Sequence, residues 1–344
     1  MKRKVSDMDR RESVIKKAGL ILLSIFLVAL IRQFDFSGFL LSIRQVPLLA
    51  FVGLLMLQVV SQLLVNYQWC RIGKIMGGEH NFFKMLYVNA RGMIIESVTP
   101  GAKIGGEVTR ALLLKKDLEY STQEAATLVT IQKMVSLTSF FVINLFAFAY
   151  ISSKIENFQG SLVKFIIYFF LLALIGVLIF FFICSSFLEK ILLKKSTNYK
   201  WTVALQKYML TVLSNIKLLK NIKGEIYKQI LLSLSIWLLY PVKMILIVSL
   251  FNTNFDLVLL TAATFISYMV GMIPLLPGGL GSFEATMTSL LMVMQMSSHE
   301  ALVITLLFRF ISFWFVILLS LLYVGVWKVR RGRNYEIGNI KIST

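Results

Sequence analysis

This sequence of 344 residues predicts an all-α polytopic membrane protein: six full transmembrane helices and two re-entrant helix pairs, arranged as an inverted-topology repeat. Three observations carry that reading. Hydrophobic residues make up 57% of the chain and charged ones only 15%, outside the range of soluble globular or disordered chains. Apolar runs exceeding the roughly 20 residues that cross a bilayer core recur along it. A short proline–glycine–glutamate motif occurs twice in matching surroundings. Cys70, Cys184, His80 and His299 lie far apart and supply neither a disulfide framework nor a metal cluster, so no metal and no cofactor is expected.

From the N-terminus, a basic tail over Met1–Lys17 precedes the apolar run Ala18–Ile31. A signal peptide would end in small residues for cleavage, whereas Arg32-Gln33-Phe34-Asp35 follows, so the run reads as a retained helix. Further crossings are expected at 46–67, 125–151, 162–187, 229–251 and 300–327. Two apolar regions break the pattern. Asn81–Leu114 is interrupted at Thr99-Pro100-Gly101, and Asp256–Met296 is interrupted between Pro274 and Gly279. The arm Lys103–Leu114 would be about 18 Å long at 1.5 Å per residue, too short to cross. Chain breaks at membrane depth leave backbone groups unpaired unless they face protein or a wet cavity. Both regions, 81–114 and 256–296, therefore read as re-entrant pairs. The chain forms one integral membrane domain, with repeat 1 at 46–151, a basic interfacial segment at 188–228, repeat 2 at 229–327 and a tail at 328–344.

Net charge is +19, and its distribution orients the chain. With the N-terminus in the cytoplasm, the inner segments 1–17, 68–124, 188–228 and 328–344 hold 7, 8, 9 and 5 of the 36 Lys and Arg residues. Met244–Phe308 holds none, and Lys133, Lys243 and Arg309 fall inside expected helices. Both termini are thus expected in the cytoplasm, in a multi-pass protein of the cell membrane.

Under this topology the two re-entrant pairs enter from opposite sides, yet Pro100-Gly-Ala-Lys-Ile-Gly-Gly-Glu107 and Pro277-Gly-Gly-Leu-Gly-Ser-Phe-Glu284 share one pattern. A cation follows each glutamate in the next helix: Lys133 comes 26 residues after Glu107, and Arg309 comes 25 after Glu284. Interrupted helices in corresponding positions of two halves mark transporters with inverted repeats. Helices starting near Lys103 and Ser282 would present free N–H groups and a positive dipole end to an anion such as phosphate. Gly105, Gly106, Gly279 and Gly281 would admit a ligand or another backbone at close range. Pro100, Gly101, Pro277 and Gly278 make the breaks themselves.

At these motifs the sequence resembles the membrane domain of lysylphosphatidylglycerol synthase, the multiple peptide resistance factor, and the wider family of stand-alone flippase-like membrane proteins. The residues concerned are Glu96 through Lys116, Leu276 through Ala285, Tyr67-Gln68-Trp69, and Arg309, and the likeness covers about residues 15–330. It implies lipid translocation, with aminoacylated phosphatidylglycerol moved to the outer leaflet in full-length relatives. Those relatives carry a cytosolic transferase domain after the membrane part, whereas this chain ends 17 residues after Trp327, so it is not expected to be the lipid-modifying enzyme. Where the family often has an acidic–basic pair, Gln132-Lys133 stands here.

Each candidate has a second reading. Glu107 and Glu284 either meet the substrate or complement the dipoles of the helices they begin. Lys133 and Arg309 either bind lipid phosphate or form ion pairs with those glutamates. Arg110 and Lys103 either meet phosphate at the cytoplasmic mouth or snorkel. Lys243 either lines the cavity or snorkels outward, and Arg91 and Glu96 form a further candidate pair at poor helical spacing. In 188–228, nine lysines among Tyr199, Trp201, Tyr208 and Tyr227 suit an interfacial helix on anionic lipid rather than nucleic acid. The leading expectation is a flippase-like transporter of a phospholipid or lipid-linked headgroup, with Glu107, Glu284, Lys133 and Arg309 as its polar centre. The alternatives are an enzyme acting on lipid, or a scaffold that recruits a separate lipid synthase through 188–228.

Overall fold

The computed structural model describes residues 46–78, 81–99, 104–154, 161–194, 200–222, 224–251, 255–273 and 276–340. The expected helix Ala18–Ile31 and the basic tail lie outside them, as do Pro100, Gly101, Lys103 and His80. The fold below is that of the chain from Pro47 onward.

Every regular element among the described residues is helical. Five of the six expected crossings fall here, and five stretches are long and apolar enough to cross a membrane. They are α1 (Leu48–Ile75), α4 (Thr122–Lys154), α5 (Ser161–Ile183) and α8 (Glu225–Ser249), with a fifth stretch made of α11 (Ser298–Arg309), a π-helical turn (Phe310–Trp314) and α12 (Phe315–Ile340). Large apolar side chains point outward along them, Leu49 at 85%, Phe146 at 70% and Phe169 at 65% exposure. In water such a surface would drive association, whereas in a bilayer it is the lipid face.

Between the long helices lie two pairs of short ones, α2 (Phe82–Val98) with α3 (Ile104–Asp117), and α9 (Leu257–Gly271) with α10 (Ser282–Val293). Their lengths, about 25, 21, 22 and 18 Å, all fall short of a bilayer core of about 30 Å. The first arm of each pair has an Asx cap. Asn81 Oδ1 accepts from the N–H groups of Phe83 (3.1 Å) and Lys84 (3.0 Å). Asp256 Oδ1 accepts from those of Val258 (2.9 Å) and Leu259 (3.1 Å). The Tyr150 hydroxyl also donates to Asp256 at 2.6 Å. That bond and the cap together hold the carboxyl below the usual carboxylate range. The long helix after each pair opens with a capping box: Ser121 with Glu124 at α4, and Ser297 with Glu300 at α11.

Helices α1 and α8 lie side by side and antiparallel. Arg71 and Glu225 pair at 2.5 Å at one end, Gln68 Nε2 donates to Gln229 O at 3.2 Å, and Ser61 meets Lys243 further along. The first arm of each short pair packs on the long helix of the other half, α9 on α4 and α2 on α12. Tyr87 stacks on Trp327 at 5.5 Å, and the Tyr323 hydroxyl donates to Phe83 O at 3.1 Å. One core cluster joins Ile72, Met85, Leu114 and Leu128, and a second joins Phe140, Phe148, Leu171 and Phe265.

Helices α6 (Ser185–Lys194) and α7 (Lys200–Asn221) form the basic segment. The apolar stripe of α7, Val212, Ile216 and Leu219, is covered by the first core cluster. Lys207, Lys217 and Lys220 remain exposed. The buried stripe is therefore satisfied against protein, and the outward face mixes these lysines with the exposed apolar side chains of Val203, Leu205 and Leu218.

Candidate functional site

Two carboxylate–cation units form, one in each half, at the positions that the repeated motif marks. In the first, Glu107 occupies the first turn of α3, where its charge also complements the helix dipole. Its Oε1 accepts from Lys133 Nζ on α4 at 3.1 Å and lies 3.5 Å from Arg110 Nη1, one turn on. Arg110 Nη2 donates to Glu96 Oε2 on α2 at 3.0 Å. Two polar atoms in this unit, Glu107 Oε2 and Arg110 Nε, are buried without a hydrogen-bond partner.

In the second unit, Glu284 stands in the first turn of α10 and takes the backbone N–H of Gly281 at 2.7 Å. Its Oε1 accepts from Arg309 Nε at 2.6 Å. Arg309 Nη2 donates to Gly278 O at 2.9 Å, and the guanidinium lies 4.8 and 4.5 Å from the ring centres of Phe283 and Phe313. The break is tight here. Gly278 and Gly279 hold φ of +67° and +69°, and a Cβ on Gly279 would meet Gly271 O at 2.3 Å. At the first break a Cβ on Gly106 would meet Gly92 O at 2.8 Å. At Gly106 and Gly279, then, the close approach expected from sequence is made by protein backbone. Gly105 faces Thr99, and around Gly281 only Leu276 comes near.

Both units face one cavity of about 340 Å³. Glu96, Glu107, Arg110 and Lys133 line it from one half, and Gly278, Gly279 and Arg309 from the other; Pro277 is buried in the adjoining turn. Trp69, Trp237, Tyr240 and Tyr268 form the wall between them. Gln132, standing where an acidic residue was the family expectation, reaches Gln68 at 3.3 Å and so ties α4 to α1. Guanidinium, ammonium and carboxylate groups around one aromatic-walled chamber can form charge-assisted hydrogen bonds to phosphate and to ammonium groups.

Of the two readings for Arg110, burial in the chamber wall goes against snorkelling. Two other placements differ from the sequence expectations. Glu96 pairs with Arg110 rather than Arg91, whose guanidinium donates to the Tyr87 hydroxyl at 3.3 Å. The residues 96 and 110 meet because the α2–α3 pair folds back on itself, a contact no helical spacing announces. Lys243 neither lines the cavity nor reaches outward. It is fully buried between α8 and α1, donates to Gln58 and Ser61, and lies 4.3 Å from the Tyr240 ring centre. Pro241 nearby leaves the Trp237 carbonyl without its helical donor. Of the aromatic wall only Trp69, in Tyr67-Gln68-Trp69, was singled out from sequence, because aromatic residues recur throughout the chain and nothing local marks Trp237, Tyr240 and Tyr268 as inward.

Residues 17–320 match the family described as the lysylphosphatidylglycerol synthase TM region. A UPF0104 membrane protein from Methanocaldococcus jannaschii is 24% identical over 275 residues, covering 77% of this chain and 80% of that protein. Another, from Methanothermobacter thermautotrophicus, is 26% identical over 259 residues, covering 70% and 73%.

Proposed function

The chain belongs to the family of the lysylphosphatidylglycerol synthase transmembrane region, and from that premise we propose that it is a flippase-like lipid transporter. It moves a phospholipid or lipid-linked headgroup between leaflets, while the tails stay in the bilayer, through a path between two inverted repeats. The observation that carries this reading is the single chamber lined by Arg110, Glu107 and Lys133 from one half and Arg309 from the other. Charged groups inside a membrane are costly and mark substrate paths.

The repeat is supported element by element. Helices α1 and α8 begin 177 residues apart (48 and 225), the first short arms 175 (82 and 257), the second short arms 178 (104 and 282) and the long helices 176 (122 and 298). The antiparallel run of α1 and α8 suits halves of opposite orientation, as does the reciprocal packing of each first short arm on the other half's long helix. In this reading α2–α3 and α9–α10 are the re-entrant pairs, both termini are cytoplasmic, and rocking of the halves alternates access to the chamber. The lysine face of α7 lies on the cytoplasmic side against anionic lipid, where a separate lipid synthase would also dock. The family match is to a transmembrane region, and the work proposed for it is transport rather than catalysis.

Headgroup scrambling in proteoliposomes tests the proposal with fluorescent phosphatidylglycerol, its lysyl ester and a polyprenyl phosphate. Wild type is expected to move one of them, and Glu107→Gln with Glu284→Gln to lose at least about tenfold of that rate. A folded wild-type protein that moves none of the three overturns the reading.

A further inference from the structure

A second cavity of about 170 Å³ lies beside the central chamber, between α1, α2 and α12. The two share a wall made of Gln62, Val65, Met93 and Arg110. Beyond that wall the side cavity is mainly apolar, lined by Val59, Leu63, Leu86 and Leu319, with Asn89, Ser320 and Tyr323 as its polar members. Leu63, 39% exposed, continues the outward apolar face formed by Met56 and Val60, so this cavity opens on the lipid side of α1. Arg110 thus stands at a boundary, with a charged, aromatic-walled chamber on one side and an apolar slot on the other.

A phospholipid has the same order of parts: polar headgroup, phosphate, acyl chain. We propose that the side cavity seats an acyl chain of the transported phospholipid, with the phosphate at Arg110 and the headgroup in the central chamber. Arg110 suits that role because Nη1 and Nη2 are engaged by Glu107 and Glu96 while Nε is buried without a partner, leaving a donor for a phosphate oxygen. A soluble anion would need the chamber and the guanidinium but gain nothing from the slot. A lipid that keeps its tail in the bilayer needs a lateral opening at the level of the phosphate. The inference rests on the transport reading and adds to it where the lipid enters and which group meets its phosphate.

Ala90, buried in the slot wall, is the position to fill. Ala90→Leu is expected to lower phosphatidylglycerol transfer at least about tenfold. Leu172→Phe, on the outer face of α5, serves as the control and stays at the wild-type rate. Phosphatidylglycerol with a diazirine in its acyl chain supplies a measurement independent of any variant. Cross-links at Leu86 and Met93 support the slot, and cross-links confined to outward residues such as Leu172 and Phe169 overturn it. Ala90→Leu transferring lipid at the wild-type rate overturns it too. Both of those outcomes leave the transport reading standing, whereas a wild type that moves no lipid removes that reading first.

Discussion

The two carboxylate–cation units start from the same motif and end in different states. Around Glu284 the unit is closed: its carboxylate holds a backbone N–H and Arg309, and Arg309, 5% exposed, is sandwiched by two rings and bound to a carbonyl. Around Glu107 the unit is open: one oxygen is shared between Lys133, 30% exposed, and Arg110, while the other has no partner. A lysine ammonium is a mobile point charge, whereas an arginine fork is held by its geometry. In the open unit Glu107 Oε2 and Arg110 Nε are left without partners, and under the proposed transport reading that is where a substrate would exchange partners without leaving a buried charge bare.

Removing the cation from each unit is the strongest way to break this comparison. Arg309→Met strips Glu284 of its cation and the Gly278 carbonyl of its donor, and is expected to cost about 3–5 kcal/mol. Lys133→Met leaves Arg110 beside Glu107 and is expected to cost about 1 kcal/mol or less, yet to impair transport severely. Thermal unfolding in nanodiscs reads the first quantity and proteoliposome transfer the second. Equal destabilisation by the two variants would show that the units do not differ as described.

The glycines of the closed break offer a finer contrast. Gly279→Ala combines a left-handed φ with a carbonyl at 2.3 Å and is expected to cost about 3 kcal/mol. Gly281→Ala shares the left-handed φ, but nothing lies closer than 3.8 Å, so about 1 kcal/mol is expected. Denaturant titration of the two variants orders them, and the reverse order would place the strain at the wrong glycine.

The smallest effects test where the halves are alike. Ser121→Ala and Ser297→Ala each remove one capping box and are each expected to cost about 1 kcal/mol. Hydrogen exchange at the first turns of α4 and α11 should rise by similar factors. A loss at one helix only would confine the resemblance of the halves to their motifs.

Much of this was legible in the chain. The five long helices described follow from apolar runs of sufficient length, and the two short pairs follow from breaks at Thr99-Pro100 and around Pro277. The spacing from Glu107 to Lys133, and from Glu284 to Arg309, offered both ion pairs as one of two readings, and the pairs form because each cation is placed by one helix running past the start of another. The paired capping boxes at Ser121 and Ser297 are also written in the sequence, as Ser-x-x-Glu at the edges of the apolar runs. The partner of Arg110 was not readable, since Arg91 and Glu96 compete for notice within a single helix. Lys243 was not readable either, because a lone lysine in an apolar run has the same sequence whether it faces lipid, a cavity or a neighbouring helix.

Composition and hydropathy alone establish that this chain is helical and lies in a membrane, because helix length and hydropathy are local and additive, while its family is carried by the motifs around Glu107 and Glu284 and by the match over residues 17–320. The open and closed character of the two units, the burial of Lys243 against Gln58 and Ser61, and the placing of Arg110 between a polar and an apolar cavity depend on which helix faces which. Those facings are settled by close packing between segments more than a hundred residues apart, at Trp237 on Ser136, Gln68 on Gln229 and Tyr87 on Trp327. Each contact involves two positions that carry no mark of one another until the helices meet.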